Sequence, residues 1–358
     1  MKNKEPQYLK IYYQIREEII KRIYPYGSRL KSKRTIALDN AVSVITVQHA
    51  MELLIDEGYI EAREKSGYFV IYRESDFQGK PKEPANEKAK PRTLESTAGE
   101  GAFPYSIISK TVRKVLLEYN ERLLIPSDAK GIMELRTEIA SYLARNRGII
   151  VSPEQIIVGS GAEYLYGLLA QLFMGETFAI EDPSYEKIEQ VYSSLGTTLE
   201  KLRLDDDGIP GDILASSKAK VLHVTPFNSY PSGITIGITK KLEYIRWAKE
   251  RNGYIIEDNY DSELTVKRKY EESTFSMSDS DNVIYMNTFS NTISSAIRTG
   301  YMILPKKLLD EYNRRLSFYS CTVPVIDQYV IYELIKSGDF ERHINRVRRE
   351  RRKEMQKQ

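Results

Sequence analysis

The chain has 358 residues, of which 41% are hydrophobic and 29% charged, so it can bury a core and is not a disordered polymer. Its 53 basic and 50 acidic residues leave a net charge of +3, which by itself does not imply a nucleic-acid partner. One cysteine and three histidines exclude a disulfide framework and a zinc-type ligand cluster, and so low a cysteine content is typical of the reducing cytoplasm.

A change in composition divides the chain. Residues 75–95 contain prolines and charges but almost no apolar side chains, so burial cannot offset their ordering entropy and we predict a flexible linker. We therefore expect a small domain over residues 1–74 and a large domain over residues 96–358. Residues 1–75 hold 13 basic and 10 acidic residues, and thus carry the whole net charge of +3.

The small domain has the pattern of three helices followed by a hairpin. Apolar residues at three- and four-residue spacing indicate an amphipathic first helix, and serines mark the starts of two further helices. In chain order the pattern predicts a helix over 9–23, a turn over 25–28, helices over 32–40 and 43–57, and strands over 59–63 and 67–72. This order is a winged helix-turn-helix arrangement.

A helix-turn-helix presents the first residues of its second helix to base edges in the major groove. The preceding helix start suits phosphate contacts, and the wing tip suits the adjacent minor groove. The predicted DNA-binding residues are Ser32, Lys33, Arg34, Ser43, Thr46, Gln48, His49, Lys65, Ser66 and Gly67. The alternative is that they are ordinary surface residues of a small helical domain.

The first 70 residues resemble the GntR family of bacterial transcription regulators. The matching segments are Tyr13-Gln14-Ile15, Pro25-Tyr26-Gly27-Ser28-Arg29-Leu30, Ser32-Lys33-Arg34, Val42-Ser43, Thr46-Val47, the stretch 53–60 and Ser66-Gly67-Tyr68-Phe69-Val70. Two residues depart from the family pattern: Val44 stands where an arginine is common, and Lys31 stands where a proline is usual. Loss of an arginine contact to a base costs about 1–3 kcal/mol, so altered DNA affinity is expected.

The large domain alternates strands with helices, which predicts a largely parallel α/β sheet. The predicted strands are 155–159, 177–181, 220–224, 254–257, 283–287 and 300–304, with helices over 162–173 and 240–251 among the intervening segments. In such sheets, ligands bind beyond the carboxyl ends of the strands.

The whole of this second part resembles the fold type I, pyridoxal-phosphate-binding aminotransferase-like domain of the MocR subgroup of GntR regulators. The segments that carry the resemblance are 103–106, 131–136, 151–165, 181–185, 225–233, 256–263, 288–291 and 298–301. It implies a three-layer, mainly parallel α/β domain that senses an effector and dimerises head to tail.

The resemblance also implies a cofactor pocket whose parts have physical roles. Amides at a helix start, a hydroxyl and an arginine suit a phosphate, a tyrosine can stack on a pyridine ring, and an aspartate can pair with a protonated ring nitrogen. The predicted cofactor-binding residues are Ser160, Gly161, Ala162, Tyr185, Asn228, Asp258, Tyr260, Ser290, Asn291 and Arg298. Taken singly, each could equally be a cap or a packing residue.

The main departure from the family is Asn291, which stands where the family has the Schiff-base lysine. A carboxamide is not a nucleophilic amine, so pyridoxal 5'-phosphate is expected to bind only non-covalently, without the usual internal aldimine. The chain ends at Gln358 in a basic helical stretch, where the resemblance predicts a further subdomain with a substrate-binding arginine.

These observations predict a cytoplasmic transcription regulator that binds double-stranded promoter DNA as a homodimer and responds to an unidentified small molecule. Two alternatives stay open at this point: a degenerate, non-functional remnant of a regulator, and a pyridoxal-phosphate-dependent aminotransferase. Asn291 argues against the enzyme because the lysine is also the proton shuttle of transamination.

Overall fold

The computed structural model describes residues 6–63, 66–73, 103–265, 272–278 and 281–355. Two units emerge from its contacts, Met1–Leu94 and Glu95–Gln358. The predicted linker over residues 75–95 and the predicted wing residue Lys65 lie outside the described residues. None of the helices within the described ranges is long and apolar enough to cross a membrane.

The N-terminal unit is a three-helix domain with a hairpin, as predicted. Its elements are α1 (Gln7–Ile20), α2 (Lys33–Asp39), α3 (Val44–Asp56), β1 (Ile60–Arg63) and β2 (Gly67–Val70). The two strands pair antiparallel from Ile60 opposite Val70 to Arg63 opposite Gly67. The prediction that the first helix runs to residue 23 is wrong, because Arg22 adopts a left-handed backbone with φ 59° just after α1 ends.

A single apolar core holds α1, α3 and the hairpin together. Its largest buried members include Ile15, Met51, Leu54 and Ile60. Each such side chain contributes about 1.5–3 kcal/mol when fully buried. Since this face of α3 is fixed in the core, the opposite face is held toward solvent.

The C-terminal unit contains ten further α-helices and seven strands in its described residues. The helices are α4 (Tyr105–Tyr119), α5 (Met133–Arg147), α6 (Ala162–Leu172), α7 (Glu186–Ser194), α8 (Gly211–Ser216), α9 (Ile238–Glu250), α10 (Thr274–Met277), α11 (Lys306–Leu316), α12 (Val325–Lys336) and α13 (Asp339–Met355). The strands are β3 (Ile156–Gly159), β4 (Thr177–Asp182), β5 (Thr198–Arg203), β6 (Val221–Val224), β7 (Tyr254–Asp258), β8 (Val283–Thr288) and β9 (Gly300–Ile303).

These strands form one mixed sheet in the order β3-β9-β8-β7-β6-β4-β5. Only β9 runs antiparallel to its neighbours, so the predicted mainly parallel sheet is confirmed. The edge strand β5 was not predicted from the sequence: along it only Leu202 is buried, and an edge strand with so few buried residues lacks the hydrophobic run of a central one.

Helices cover both faces of the sheet, which gives the three predicted layers. Ile157 of β3 packs in one apolar cluster with α6 and α11, whereas its neighbours Ile156 and Val158 pack in another with α5 and α12. This alternation is the two-residue period of a strand that is buried on both faces.

The carboxyl ends of three parallel strands position the candidate pocket. Asp182 ends β4, Asp258 ends β7 and Thr288 ends β8. The loops that follow carry most of the polar residues singled out in the sequence, so the sheet gathers side chains that are far apart in the chain.

Candidate functional site

The start of α3 is built by a serine cap. The Ser43 hydroxyl accepts a hydrogen bond from the Thr46 backbone N–H at 3.1 Å, and the two side-chain oxygens lie 2.8 Å apart. Such caps satisfy a backbone donor that the helix itself cannot pair. Gln48 and His49 are exposed on the next turn. The first two turns of α3 thus present hydroxyl, amide and imidazole groups to solvent.

The start of α2 lies beside this surface. Lys33 Nζ is 3.5 Å from Gln48 Oε1 and also lies over the Tyr68 ring, 5.8 Å from its centroid. Ser32 caps α2 by accepting from the Thr35 backbone N–H, and Arg34 is exposed. A basic side chain therefore links the first turns of the two helices.

The wing residues are partly described. Ser66 is exposed and Gly67 adopts φ 104°. A Cβ added at Gly67 would lie 3.1 Å from Arg29 Nε, so this glycine lets the Arg29 guanidinium lie directly against the hairpin.

His49 of α3 makes an edge contact with the Tyr8 ring of α1, with 6.2 Å between the ring centroids.

Two apolar residues stand among these polar groups. Val44 is 41% exposed and Ile45 is 68% exposed at the start of α3. Exposed aliphatic groups at this position can contact thymine methyl groups in the major groove.

The second candidate site is a cavity of about 340 Å³ in the C-terminal unit, at the carboxyl ends of the parallel strands. Seven of the ten predicted cofactor residues line it: Ala162, Tyr185, Asp258, Tyr260, Ser290, Asn291 and Arg298. The other seven lining residues were not among those ten; they are Glu163, Tyr166, Ile188, Thr225, Tyr230, Thr288 and Ser295.

The three remaining predicted residues lie outside the cavity wall. Ser160 bonds to Thr322 instead, with 2.9 Å between the two hydroxyl oxygens. The Asn228 amide donates to Asp261 Oδ2 at 2.8 Å. Gly161 has a φ of 91° and lies against Arg298: a Cβ added at Gly161 would be 3.0 Å from Arg298 Nη2. Gly161 therefore gives the arginine its space rather than lining the cavity itself.

Asp258 is the most deeply buried acid of the cavity wall, with 2% exposure. Its Oδ2 accepts from the Tyr166 hydroxyl at 2.5 Å and lies 3.8 Å from His223 Nε2. Burial raises the pKa of Tyr166 well above its ordinary value, so this hydroxyl stays a donor. The second oxygen, Oδ1, is buried and finds no hydrogen-bond partner among the residues that the structure describes.

Glu163, another acid of the cavity wall, lies between two cations. It forms ion pairs with Arg298 and with Lys187, the latter at 2.6 Å. Burial acts to raise the pKa of Glu163, but hydrogen bonds from Lys187 and Arg298 outweigh it and hold that pKa below its ordinary value. The cluster carries two positive charges and one negative, and it lies at the start of α6, where the helix dipole also favours an anion.

Three tyrosines and Asn291 form another part of the cavity wall. The Tyr185 and Tyr230 rings meet edge to face at 6.2 Å. The Tyr260 hydroxyl donates to the Asn228 carbonyl at 2.8 Å, and Asn291 Nδ2 donates to the Tyr260 carbonyl at 3.3 Å. These contacts fix Tyr260 and Asn291 at the rim.

These groups fit a pyridine ring that carries a phosphate. An unpartnered buried carboxylate oxygen is costly, and a protonated ring nitrogen is a donor that would satisfy Asp258 Oδ1. The cluster of Arg298 and Lys187 around Glu163 suits the phosphate. The cavity therefore matches the non-covalent part of a pyridoxal-phosphate site, whereas Asn291 offers no amine for attachment.

Comparison with known families covers nearly the whole chain. Residues 7–70 match the family described as bacterial regulatory proteins, gntR family. Residues 99–358 match aminotransferase class I and II. The two matches fall on the two units of the fold.

Relatives that align with nearly the whole chain are named as transcription regulators or regulatory proteins. The chain is 32% identical to the HTH-type transcriptional regulator YdeL of Bacillus subtilis, over 97% of this chain and 77% of that protein. It is 26% identical to the probable rhizopine catabolism regulatory protein MocR of Rhizobium meliloti (96% and 74% covered). It is also 26% identical to the pyridoxine biosynthesis regulator PdxR of Corynebacterium glutamicum (94% and 74% covered).

Several solved structures that resemble the chain are aminotransferases. An archaeal alanine:glyoxylate aminotransferase superposes with a TM-score of 0.61 at 24% identity, and kynurenine aminotransferase from Pyrococcus horikoshii with 0.63 at 25%. The matches cover 67% and 69% of this chain, and this chain spans only 62% and 64% of theirs. This chain belongs to the GntR family of DNA-binding transcription regulators, in the MocR-type group that joins a helix-turn-helix domain to a class I and II aminotransferase domain.

Proposed function

We propose that this regulator reads its operator with α3, contacts the phosphate backbone with the start of α2, and reaches the minor groove with its wing. The observation that carries the proposal is the shared solvent face of α2 and α3, where Lys33 lies within 3.5 Å of Gln48. Base contacts would come from Ser43, Thr46, Gln48 and His49, and phosphate contacts from Ser32, Lys33 and Arg34. Lys65, Ser66 and Gly67 would form the wing contact.

The large domain, in this proposal, binds a vitamin B6 phosphate without a covalent bond and without turning over a substrate. Asp258 Oδ1, which no described side chain satisfies, supports a ring-nitrogen contact. Arg298 and the start of α6 support a phosphate contact. Asn291 supplies neither a nucleophile nor a proton shuttle. The domain therefore acts as a sensor rather than as an enzyme.

The proposal includes a head-to-tail homodimer that acts in the cytoplasm, where the promoter is. Exposed apolar side chains on α4 and just after it support a protein contact there: Leu117 is 70% exposed, Leu124 84% and Ile125 62%. Exposed large apolar side chains can belong to an interaction site when they form one patch. Two DNA-binding domains in one dimer multiply affinity for paired half-sites.

A gel-shift titration of the full chain on the region upstream of its own gene tests the DNA-binding part. Lys33→Ala should weaken binding and lower the salt slope by about one unit, because one phosphate contact is lost. Lys21→Ala is the matched control: it also removes one positive charge, but Lys21 pairs with Glu17 on α1 at 2.8 Å and should bind as the wild type does.

Retention that does not depend on DNA sequence at any salt concentration would contradict this proposal. That result would instead favour a degenerate remnant with only electrostatic attraction to DNA.

A further inference from the structure

One hydrogen bond orients the exposed Asn291 side chain at the cavity wall. Its Nδ2 donates to the backbone carbonyl of Tyr260 at 3.3 Å. A carbonyl oxygen can only accept, so the amide nitrogen and not the amide oxygen must face it. The amide oxygen Oδ1 is thus turned away from Tyr260 on a residue that lines the cavity, where it can only accept a hydrogen bond.

Tyr260, which accepts from Asn291, and Asn228, which lies outside the cavity wall, each use a donor in another contact. The single hydroxyl hydrogen of Tyr260 is donated to the Asn228 carbonyl at 2.8 Å. The Asn228 amide donates to Asp261 Oδ2, also at 2.8 Å. Among the described residues, no side chain is seen to donate to Asn291 Oδ1, so this oxygen is an available acceptor on a residue that lines the cavity. A ligand group that donates is favoured there, and a ligand group that only accepts is not.

The three forms of the vitamin differ in how many hydrogen bonds one substituent of the ring can donate. The aldehyde of pyridoxal 5'-phosphate only accepts hydrogen bonds. The aminomethyl group of pyridoxamine 5'-phosphate is protonated at neutral pH and donates up to three, and hydrogen bonds with one charged partner are the stronger ones. The alcohol of pyridoxine 5'-phosphate donates one, without charge.

We propose that this cavity selects the amine form of the vitamer, with Asn291 Oδ1 accepting from its ammonium group. The inference rests on the proposed vitamin B6 site and adds which form occupies it. In an enzyme of this fold the lysine retains the aldehyde by a covalent bond; here the asparagine retains the amine by a hydrogen bond. The regulator would then report the amine form of the vitamin rather than the aldehyde.

The test is calorimetric titration of the purified full-length chain with pyridoxamine, pyridoxal and pyridoxine 5'-phosphates at neutral pH. The amine form should bind at least about tenfold more tightly than the other two, as expected for one charge-assisted hydrogen bond. Equal affinities, or tighter binding of the aldehyde, would overturn the selection while leaving the vitamin B6 site intact. If none of the three bound, the proposed site itself would be refuted together with the inference.

Variants separate the role of Asn291 from the rest of the cavity. Asn291→Leu keeps a similar volume without the acceptor, so it should lose the preference while still binding the phosphate and ring. Asn291→Asp should keep or increase the preference, because a carboxylate also accepts. Asn313→Leu makes the same change at an exposed position on α11, outside the cavity, and should bind all three as the wild type does. A preference that survives in Asn291→Leu would contradict the assignment.

Discussion

Val44 lies at the start of the proposed recognition helix, where its effect on DNA affinity can be tested. It is the first residue of α3 and is 41% exposed, at the position where GntR regulators commonly have an arginine. An aliphatic group there can contact a thymine methyl, but it makes no charge-assisted bond to guanine or phosphate.

We expect Val44→Arg to strengthen binding of the full chain to its upstream DNA by about tenfold, since one arginine contact is worth about 1–3 kcal/mol. The salt dependence should become steeper by about one unit if the new contact is to phosphate. Fluorescence anisotropy across a salt series measures both quantities. Unchanged affinity at every salt concentration would mean that residue 44 does not face DNA.

Glu181 is a buried acid at the end of β4, with 3% exposure. The Ser229 hydroxyl donates to its Oε2 at 2.7 Å. Burial raises the pKa of Glu181 from 4.5 to about 8, although the hydrogen bonds from Ser229 and the Thr225 backbone oppose the shift. The folded chain therefore holds this proton more tightly than the unfolded chain does.

Such a group stabilises the fold below its unfolded pKa, and the contribution is lost as pH rises through the folded value. The amide in Glu181→Gln does not titrate and can still accept from Ser229. The melting temperature of the variant minus that of the wild type should therefore grow by at least about 2 °C between about pH 5 and about pH 8. A difference that is constant over this range would mean that Glu181 is ionised in the folded chain.

Individual site residues were predictable where they belong to a short motif and not where they depend on distant partners. Asp258 and Arg298 were identified from the sequence, and both line the cavity in the structure. Glu163 and Tyr166 were missed, because their importance comes from Arg298 and Asp258, which are 135 and 92 residues away in the chain. The roles of all of these residues remain proposals.

At the scale of elements, the helix caps and the central strands could be predicted from the sequence, whereas the edge strand β5 and the end of α1 could not. Ser32 and Ser43 cap the starts of α2 and α3, as the sequence indicated. This was predictable because a serine cap acts locally, by accepting a hydrogen bond from a backbone N–H of the first helical turn. The strand β5 was missed, since an exposed edge leaves no hydrophobic period. The end of α1 was placed too late, since Ile23 continues the apolar spacing although it lies beyond the helix and is exposed.

Removing the Ser43 cap should loosen the proposed recognition helix. Ser43→Ala leaves the Thr46 N–H without its 3.1 Å partner and should cost about 1 kcal/mol. Hydrogen exchange of peptides from α3 in the full chain should become about fivefold faster for a cost of that size.

Ser66→Ala is the matched control, because Ser66 is exposed on the wing and caps no helix. It should leave the exchange of α3 unchanged. Equal exchange rates in Ser43→Ala and the wild type would show that this hydroxyl does not hold the helix start.

At the scale of the whole molecule, the proposed homodimer predicts that apolar residues outside the core matter. Leu117→Glu with Leu124→Glu places two charges on the exposed surface of α4 and the segment after it. If this surface is the dimer contact, the variant should sediment as a monomer and bind its upstream DNA at least about tenfold more weakly, since the second half-site no longer contributes.

Ile150→Glu is the control, because Ile150 is 89% exposed and lies between α5 and β3, outside the α4 surface. It should remain a dimer. A double variant that stays dimeric would exclude this surface as the contact.

In the whole molecule, a helix-turn-helix domain is joined to an aminotransferase-type domain that we propose binds vitamin B6 phosphate without a covalent bond. The most direct measurement is the intact mass of the full chain after incubation with pyridoxal 5'-phosphate and borohydride reduction, with Asn291→Lys as the positive control. We predict that the wild type keeps its unmodified mass and releases the vitamer on dialysis, whereas the lysine variant gains one pyridoxyl group at residue 291. Stoichiometric labelling of a single lysine in the wild-type chain would contradict the account.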